Sequence, residues 1–339
     1  MGGKSLNKKK ITMEDIARAL NVSKVSVHKA LNNQPDIGKH LKEQILEKAA
    51  ELGYTMIDPL TKLCRHFFFF LHKKYHQSTE QFYYGTFTKL RESFENRGSV
   101  LELKAIDDDF SPVAFERNMS KIIKGNMAFF LAGQFTNNIF REFESLDKSC
   151  VCIDFYSQKY RLNYIFLDNY RAGHLLTDYL IQNGHRRLCF VVDIEHSSTN
   201  ADKYFGFRKA LAENGIAFTK DMVIGSTLES PQQYLNLVLP DPLPTAFLFH
   251  SDYSAYKFMI SMMSKGYKIP EDISVASFDN TSISIESSPT ITSVGMDKDE
   301  FNETCYDIML KSLQCFNKRV RNYTLISKIH ARETVRKLQ

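Results

Sequence analysis

From residue 67 to its end the chain alternates short apolar runs with amphipathic stretches, and few architectures accept that pattern. Apolar runs too short for helices read as strands covered on both faces. The longer stretches between them, with apolar residues three and four apart, read as the helices that cover them. The predicted fold class is therefore α/β, with doubly wound parallel sheets. Strands are expected at 67–71, 100–104, 128–132, 150–153, 164–167, 188–192, 245–249 and 273–278, and helices at 82–97, 170–183, 202–214, 252–265 and 298–316.

The first fifth of the chain is of another kind. Residues 1–66 carry 12 Lys/Arg against 7 Asp/Glu, whereas the other 273 residues carry 32 of each. A small basic head on a neutral body suggests a polyanion-binding module joined to a second function. The 339-residue length suits two or three folding units, and 43% hydrophobic with 24% charged residues excludes wholesale disorder and fibrous classes. The apolar runs fall far short of the roughly 20 residues that cross a bilayer, and Lys8-Lys9-Lys10 has no apolar stretch behind it, so neither a membrane span nor a secretory signal is expected. Six cysteines, at 64, 150, 152, 189, 305 and 315, form no CxxC pair and fit free thiols in a reducing, cytoplasmic setting.

The head resolves into three helical patterns. Thr12 before Met13-Glu14-Asp15 supplies a hydroxyl cap and first-turn carboxylates for a helix to about Leu20, with Ile16, Ala17 and Leu20 inward. Asn21 tolerates a left-handed turn, and Ser23 caps a second helix through Leu31. Asn32-Asn33-Gln34-Pro35 stops that helix, and a third runs from about Gly38 to Leu52, closed by Gly53. This is a helix-turn-helix unit. At 100° per residue Val27, Ala30 and Leu31 share the inner side of the second helix, while Val25, His28 and Lys29 project outward beside Lys24 and Ser26. A lysine there can bond guanine acceptors and a valine can touch a thymine methyl.

The run from Ile11 to Lys24, with Val27, Ala30-Leu31-Asn32 and Ala50-Glu51-Leu52-Gly53-Tyr54, resembles the opening of the lactose-repressor/galactose-repressor family. The body matches too, in Leu167-Asp168-Asn169-Tyr170-Arg171-Ala172-Gly173, Asn183-Gly184-His185-Arg186-Arg187, Gly206 to Leu211, Pro244-Thr245-Ala246, Ile269 to Val275 with Phe278-Asp279, and Ala331-Arg332-Glu333. The resemblance implies a headpiece at 1–54, a hinge at 55–66 and an effector-binding and dimerisation body at 67–339. The body would have two periplasmic-binding-protein-like lobes of type I, about 67–165 with 295–322 and about 166–294 with 323–339.

Residue by residue, the resemblance implies DNA contacts from Ser23, Lys24, Val25, Ser26, His28, Lys29, Asn32 and Tyr54, with Leu63 at the position that wedges into a minor groove. Lys29 stands where the family has arginine, so the two-pronged fork is lost and the operator sequence does not carry over. The hinge lacks the usual Pro-Asn start and Ala-Arg centre, although Asp58 before Pro59 can still begin a helix. Ligands of such sheets bind beyond the carboxyl ends of strands, which brings up Asp154, Ser251, Asp252 and Asp279. The family adds Lys203; Lys203, Ser251 and Met296 replace its usual arginine, asparagine and glutamine, and the loop from Lys73 to Tyr84 lacks its Asn-Pro-Phe-Phe pattern, which leaves Phe82 and Tyr83 as either stacking rings or core.

No HExxH, GxSxG or GxGxxG occurs, and Asp107-Asp108-Asp109 reads as a solvated turn. No catalytic residue, cofactor or metal is expected. The function expected is a homodimeric, sequence-specific transcription regulator, a repressor, that binds double-stranded operator DNA under control of a small effector. That effector is a sugar or sugar phosphate, ahead of a purine. The alternative is a solute-binding protein of a transport system, which shares the body and needs no headpiece.

Overall fold

Thr12 and Asp15 cap the first helix reciprocally. The Thr12 N–H donates to Asp15 Oδ2 at 2.8 Å and the Asp15 N–H to Thr12 Oγ1 at 3.3 Å, which satisfies donors that α1 (Met13–Leu20) would otherwise leave unpaired. Asn21 takes the left-handed turn at φ 52°. Ser23 Oγ accepts from the Ser26 N–H at 3.0 Å and begins α2 (Lys24–Leu31), and α3 (Lys39–Glu51) follows. Ile16, Ala17, Val27, Ala30, Ile45 and Ala49 close a small core, with Leu20, Leu31, Leu41 and Leu52 against it. The computed structural model describes residues 11–31, 36–52, 54, 59–73, 75, 81–195, 197–225, 237–314 and 320–338. Asn32 to Pro35, Gly53, Thr55 to Asp58 and Cys315, all used in the sequence reading, lie outside them. One compact unit ends at Lys62 and a second begins at Leu63. A short helix, α4 (Pro59–Leu63), starts at its proline.

The second unit holds two sheets. Strands β1 (His66–His72), β2 (Val100–Ile106), β3 (Met127–Ala132), β4 (Cys150–Ile153), β5 (Asn163–Leu167) and β11 (Asn322–Leu325) form the first, in the order β11-β5-β4-β3-β1-β2. Every neighbouring pair is parallel. Strands β6 (Leu188–Val191), β7 (Val223–Ile224), β8 (Ala246–Phe249), β9 (Ser274–Phe278), β10 (Thr292–Gly295) and β12 (Lys328–His330) form the second, in the order β12-β10-β9-β8-β6-β7. There only β12 runs antiparallel, against β10. All eight expected strands are present. β7, β10, β11 and β12 are additional, because short edge or mixed-polarity strands carry no continuous apolar run.

Helices α5 (Gln81–Asn96), α6 (Pro112–Met119), α7 (Asn137–Ser145), α8 (Asn169–Gln182), α9 (Ser198–Glu213), α10 (Asp252–Ser264), α11 (Ser282–Glu286) and α12 (Lys298–Gln314) flank the sheets. The chain crosses between sheets three times, after β5, β10 and β11. The expected lobe boundaries need two corrections. Phe166 and Leu167 belong to the first sheet, and so do Tyr323 to Leu325, because β11 adds to its outer edge beside β5.

The family-like motifs have structural work. His185 is fully buried; its Nδ1 lies 3.0 Å from Thr245 Oγ1 and its Nε2 lies 3.1 Å from the Arg336 carbonyl. Arg332 donates to the Ile291 carbonyl at 2.7 Å and to Asn280 Oδ1 at 2.5 Å. The five described cysteines are buried free thiols. Asp107 pairs with Lys73, and Asp108 Oδ1 lies 3.3 Å from His72 Nε2.

Candidate functional site

Two places bring sequence-flagged residues together. The first is the outer face of α2. Val25 is 62% exposed, and Lys24 and His28 are exposed beside it. Ser23 and Ser26 are tied into the cap, their hydroxyls 2.9 Å apart. Lys24 Nζ donates to Glu14 Oε1 at 2.7 Å, and Lys29, half-buried, pairs with Asp36. Both carboxylates are held below their usual pKa, chiefly by these hydrogen bonds. Tyr54 packs half-buried against the three-helix core, and burial raises its phenol pKa. Leu63 is half-buried at the end of α4, and its carbonyl accepts from Asn126 Nδ2 at 3.1 Å.

The Asp36 contact leads to a prediction. An exposed ion pair adds little stability, but it occupies the ammonium that a duplex would need. Asp36→Asn should raise affinity for duplex DNA about 2- to 5-fold at low salt, an effect that fades as salt screens the pair. Fluorescence anisotropy over a salt series checks this, and unchanged affinity would show that the pair does not compete.

The second place is the cleft between the two sheets of the body. Its lining includes Phe82, Tyr83, Asp154, Lys203, Ser251 and Asp279, around about 550 Å³ counting the open mouth. Strand ends deliver the polar groups. Asp154 follows β4 at φ 67° and Asp279 follows β9 at φ 95°, conformations that side chains other than glycine's rarely adopt. Neighbouring strands hold them there. The Asp154 N–H donates to the Ile165 carbonyl at 2.9 Å, and the Asp279 N–H to the Val294 carbonyl at 2.8 Å. Backbone strain fixed by sheet hydrogen bonds is characteristic of binding sites.

The charges are nearly dry. Lys203 is 6% exposed; its Nζ donates to the His250 carbonyl at 3.0 Å, approaches Asp279 Oδ1 at 3.4 Å, and lies 4.8 Å from the Phe278 ring centroid. Tyr83 Oη donates to Asp154 Oδ2 at 2.8 Å, and its ring packs on Tyr75 at 5.1 Å. Burial pushes the Asp154 carboxyl up to about 6, against the pull of Lys203 and Tyr83.

Two sequence expectations change. Ser251 lines the cleft, but its hydroxyl is engaged as the cap of α10, accepting from the Ser254 N–H at 3.3 Å. Asp252 is withdrawn from the cleft as a buried strut. It accepts from Ser277 Oγ at 2.5 Å, Ser293 Oγ at 2.6 Å, and the Thr281 N–H and Oγ1 at 2.6 and 2.9 Å. Sequence reasoning also missed Gln134, Phe155, the Ser197 to Asn200 turn and His250, which line the same cleft. The strand-end rule, applied to β3 and β6 as well, reaches Gln134 and Ser197.

Comparison with known proteins agrees with this geometry. Residues 177–335 match a family described as "Periplasmic binding protein-like domain". A protein named HTH-type transcriptional repressor PurR from Glaesserella parasuis serovar 5 (strain SH0165) is 23% identical over 313 residues, 91% of this chain and 92% of the relative. One of the same name from Vibrio campbellii (strain ATCC BAA-1116) is also 23% identical, covering 96% of this chain and 99% of the relative. Among solved structures, the transcriptional regulator CelR in complex with cellobiose superposes with TM-score 0.65 at 18% identity, over 96% of this chain and 100% of the other. The lac repressor dimer bound to operator and the anti-inducer ONPF gives 0.63 at 18%, over 97% and 100%. A LacI family regulator from Enterococcus faecium with bound ribose gives 0.68 at 18%, over 81% and 100%. With its helix-turn-helix motif, its two-lobed body and relatives matched over nine-tenths or more of its length, the chain is similar to transcription regulators of the lactose-repressor/galactose-repressor family.

Proposed function

We propose that the chain is a homodimeric repressor that binds duplex operator DNA through the outer face of α2 and is controlled by a hydroxyl-rich ligand, a carbohydrate, held between the lobes. The observation that carries this is the convergence of Asp154 and Asp279, at facing strand ends, with Lys203 of α9. A carboxylate accepts paired hydroxyl donors, an ammonium donates to ring or hydroxyl oxygens, and aromatic faces cover the C–H surface of a sugar. Two structural neighbours hold sugars, cellobiose and ribose. Lys24, Val25 and Lys29 are the base-reading candidates, Ser23, Ser26, His28 and Asn32 support them, and Leu63 is the minor-groove wedge. A transport-type solute-binding protein would have no use for an exposed, basic recognition helix.

A ligand can change operator affinity only by binding one lobe arrangement better than the other. The test uses the full chain and an operator selected from random duplexes. A carbohydrate that binds should shift operator affinity by about 5- to 150-fold, the usual range of such coupling. Asp279→Ala should abolish the shift while leaving ligand-free DNA binding intact. A shift produced by a purine and by no sugar would replace the effector class, and a full response in Asp279→Ala would remove that residue from the site.

The cleft also implies a pH dependence. Hydroxyl recognition by Asp154 needs the ionised carboxylate, whose pKa is about 6. Ligand affinity should stay level from pH 8 to 7 and fall as pH drops through 6. Stability runs the other way. The folded pKa lies above the usual 3.8, so ligand-free folded chain takes up protons that the unfolded chain does not, and stability rises as pH falls from 7 towards 5. Titration calorimetry and thermal melts at pH 5.5 and 7.5 check both signs.

A further inference from the structure

Asp252 is fully buried behind the cleft. Its Oδ1 accepts from the hydroxyls of Ser277 on β9 and Ser293 on β10, and its Oδ2 from the N–H and hydroxyl of Thr281. An ionised carboxylate offers about four acceptor positions, and these donors fill them. They also surround the turn that carries Asp279. Asp279 and Asn280 stand at φ 95° and 47°, conformations that persist only where the surroundings over-determine them.

Every N–H of that turn is held. The Asp279 N–H donates to the Val294 carbonyl at 2.8 Å, the Asn280 N–H to Ser293 Oγ at 3.1 Å, and the Thr281 N–H to Asp252 Oδ2 at 2.6 Å. The last two run through Asp252, one directly and one by way of the Ser293 hydroxyl. Asp252 is also the first residue of α10, two positions after His250, whose carbonyl accepts from Lys203 Nζ at 3.0 Å.

We propose that Asp252 is a positioning residue for the ligand: it fixes the Asp279 carboxylate and the His250 carbonyl, and through them the Lys203 ammonium, before any ligand arrives. The inference rests on the cleft being the ligand site and adds what holds that site in its binding geometry. Substitutions at this position separate its roles. In Asp252→Asn the amide oxygen can still accept from Thr281, whose N–H cannot turn, while the serine hydroxyls can rotate to accept from the amide nitrogen. Asp252→Ala removes every acceptor.

Hydrogen exchange on the full, ligand-free chain reads the turn directly. Asp252→Ala should speed exchange across residues 278–281 by about 10-fold or more, the loss expected for hydrogen bonds to a charged group. Residues 150–154, in the other lobe, should stay within about 2-fold, and Asp252→Asn should restore most of the protection at 278–281. Ser293→Ala removes only the bridge to the Asn280 N–H and should act on the same segment, so it carries the test if Asp252→Ala does not fold. Calorimetry with ribose and cellobiose as probes reads the consequence. Asp252→Ala should weaken whichever binds by about 10-fold. Adding Asp154→Asn should multiply that loss, whereas adding Asp279→Asn should fall clearly short of multiplying it, because Asp252 acts through Asp279. Unchanged exchange at 278–281 in both alanine variants overturns the positioning role, and so does exchange that quickens equally in both lobes. Equal multiplication by both partner substitutions overturns it too. Failure of both sugars to bind wild type overturns the carbohydrate reading alone, since the exchange result stands without a ligand.

Discussion

Gly206→Ala is expected to lower the melting temperature of the protein by about 6–10 °C. Helices α8 and α9 cross with their backbones almost touching. A Cβ on Gly206 would lie 2.0 Å from the Tyr170 carbonyl oxygen and 2.7 Å from the His174 nitrogen. These atoms are backbone, so no rotamer change relieves the clash, and the helices must separate. Overpacking of this kind costs about 3 kcal/mol or more, and in a unit of this size each kcal/mol shifts the midpoint by about 2–4 °C. Gly173→Ala tests the link to function. Its Cβ would lie 2.1 Å from the carbonyl oxygen of Lys203, the residue whose ammonium spans His250 and Asp279. The expected result is a weaker ligand as well as a lower melting temperature. Gly85→Ala is the control. A Cβ there meets nothing within 4 Å, and alanine is the better helix former, so its melting temperature should hold or rise. Equal behaviour of all three variants would show that the α8–α9 crossing is not a constraint.

Removing residues 1–62 is expected to reduce operator affinity by at least about 10³-fold, the usual margin of specific over non-specific binding, while the remaining chain still folds and binds ligand. Among the described residues, three hydrophobic clusters of the body draw on residues 68 to 335, including Phe68, Phe70 and Phe129 under the first sheet and Phe190, Phe247 and Phe258 in the second lobe. The recognition face and its small core lie wholly in the removed segment. Operator selection by anisotropy and a thermal shift with the bound sugar read the two functions separately. Retained operator preference would move DNA recognition into the body, and loss of cooperative melting would show that the body cannot fold without its head.

The helix-turn-helix was legible because every signal in it is local. A cap such as Thr12 or Ser23, a left-handed Asn21 and a 3.6-residue apolar period all act within a few residues along the chain. The strand cores were legible for a similar reason, since an unbroken run such as Phe67 to Leu71 has no stable place except a covered sheet. Much of the cleft could be located too. Asp154 and Asp279 stand directly after their strands, and the rule for strand ends reaches them.

What the chain order could not give was decided by contacts far apart in sequence. Most of β11 was expected in the second lobe and became the edge of the first sheet, because its pairing partner β5 lies more than 150 residues upstream. Ser251 and Asp252 are adjacent, yet one lines the cleft and the other is sealed under three hydroxyls and an amide from β9, β10 and the turn between them. Burial, and with it the elevated carboxyl of Asp154 and the dry ammonium of Lys203, depends on what the two lobes bring alongside. Local chemistry therefore settled which groups this protein offers to DNA and to a ligand, whereas only three-dimensional packing settled which of them remain free to accept one.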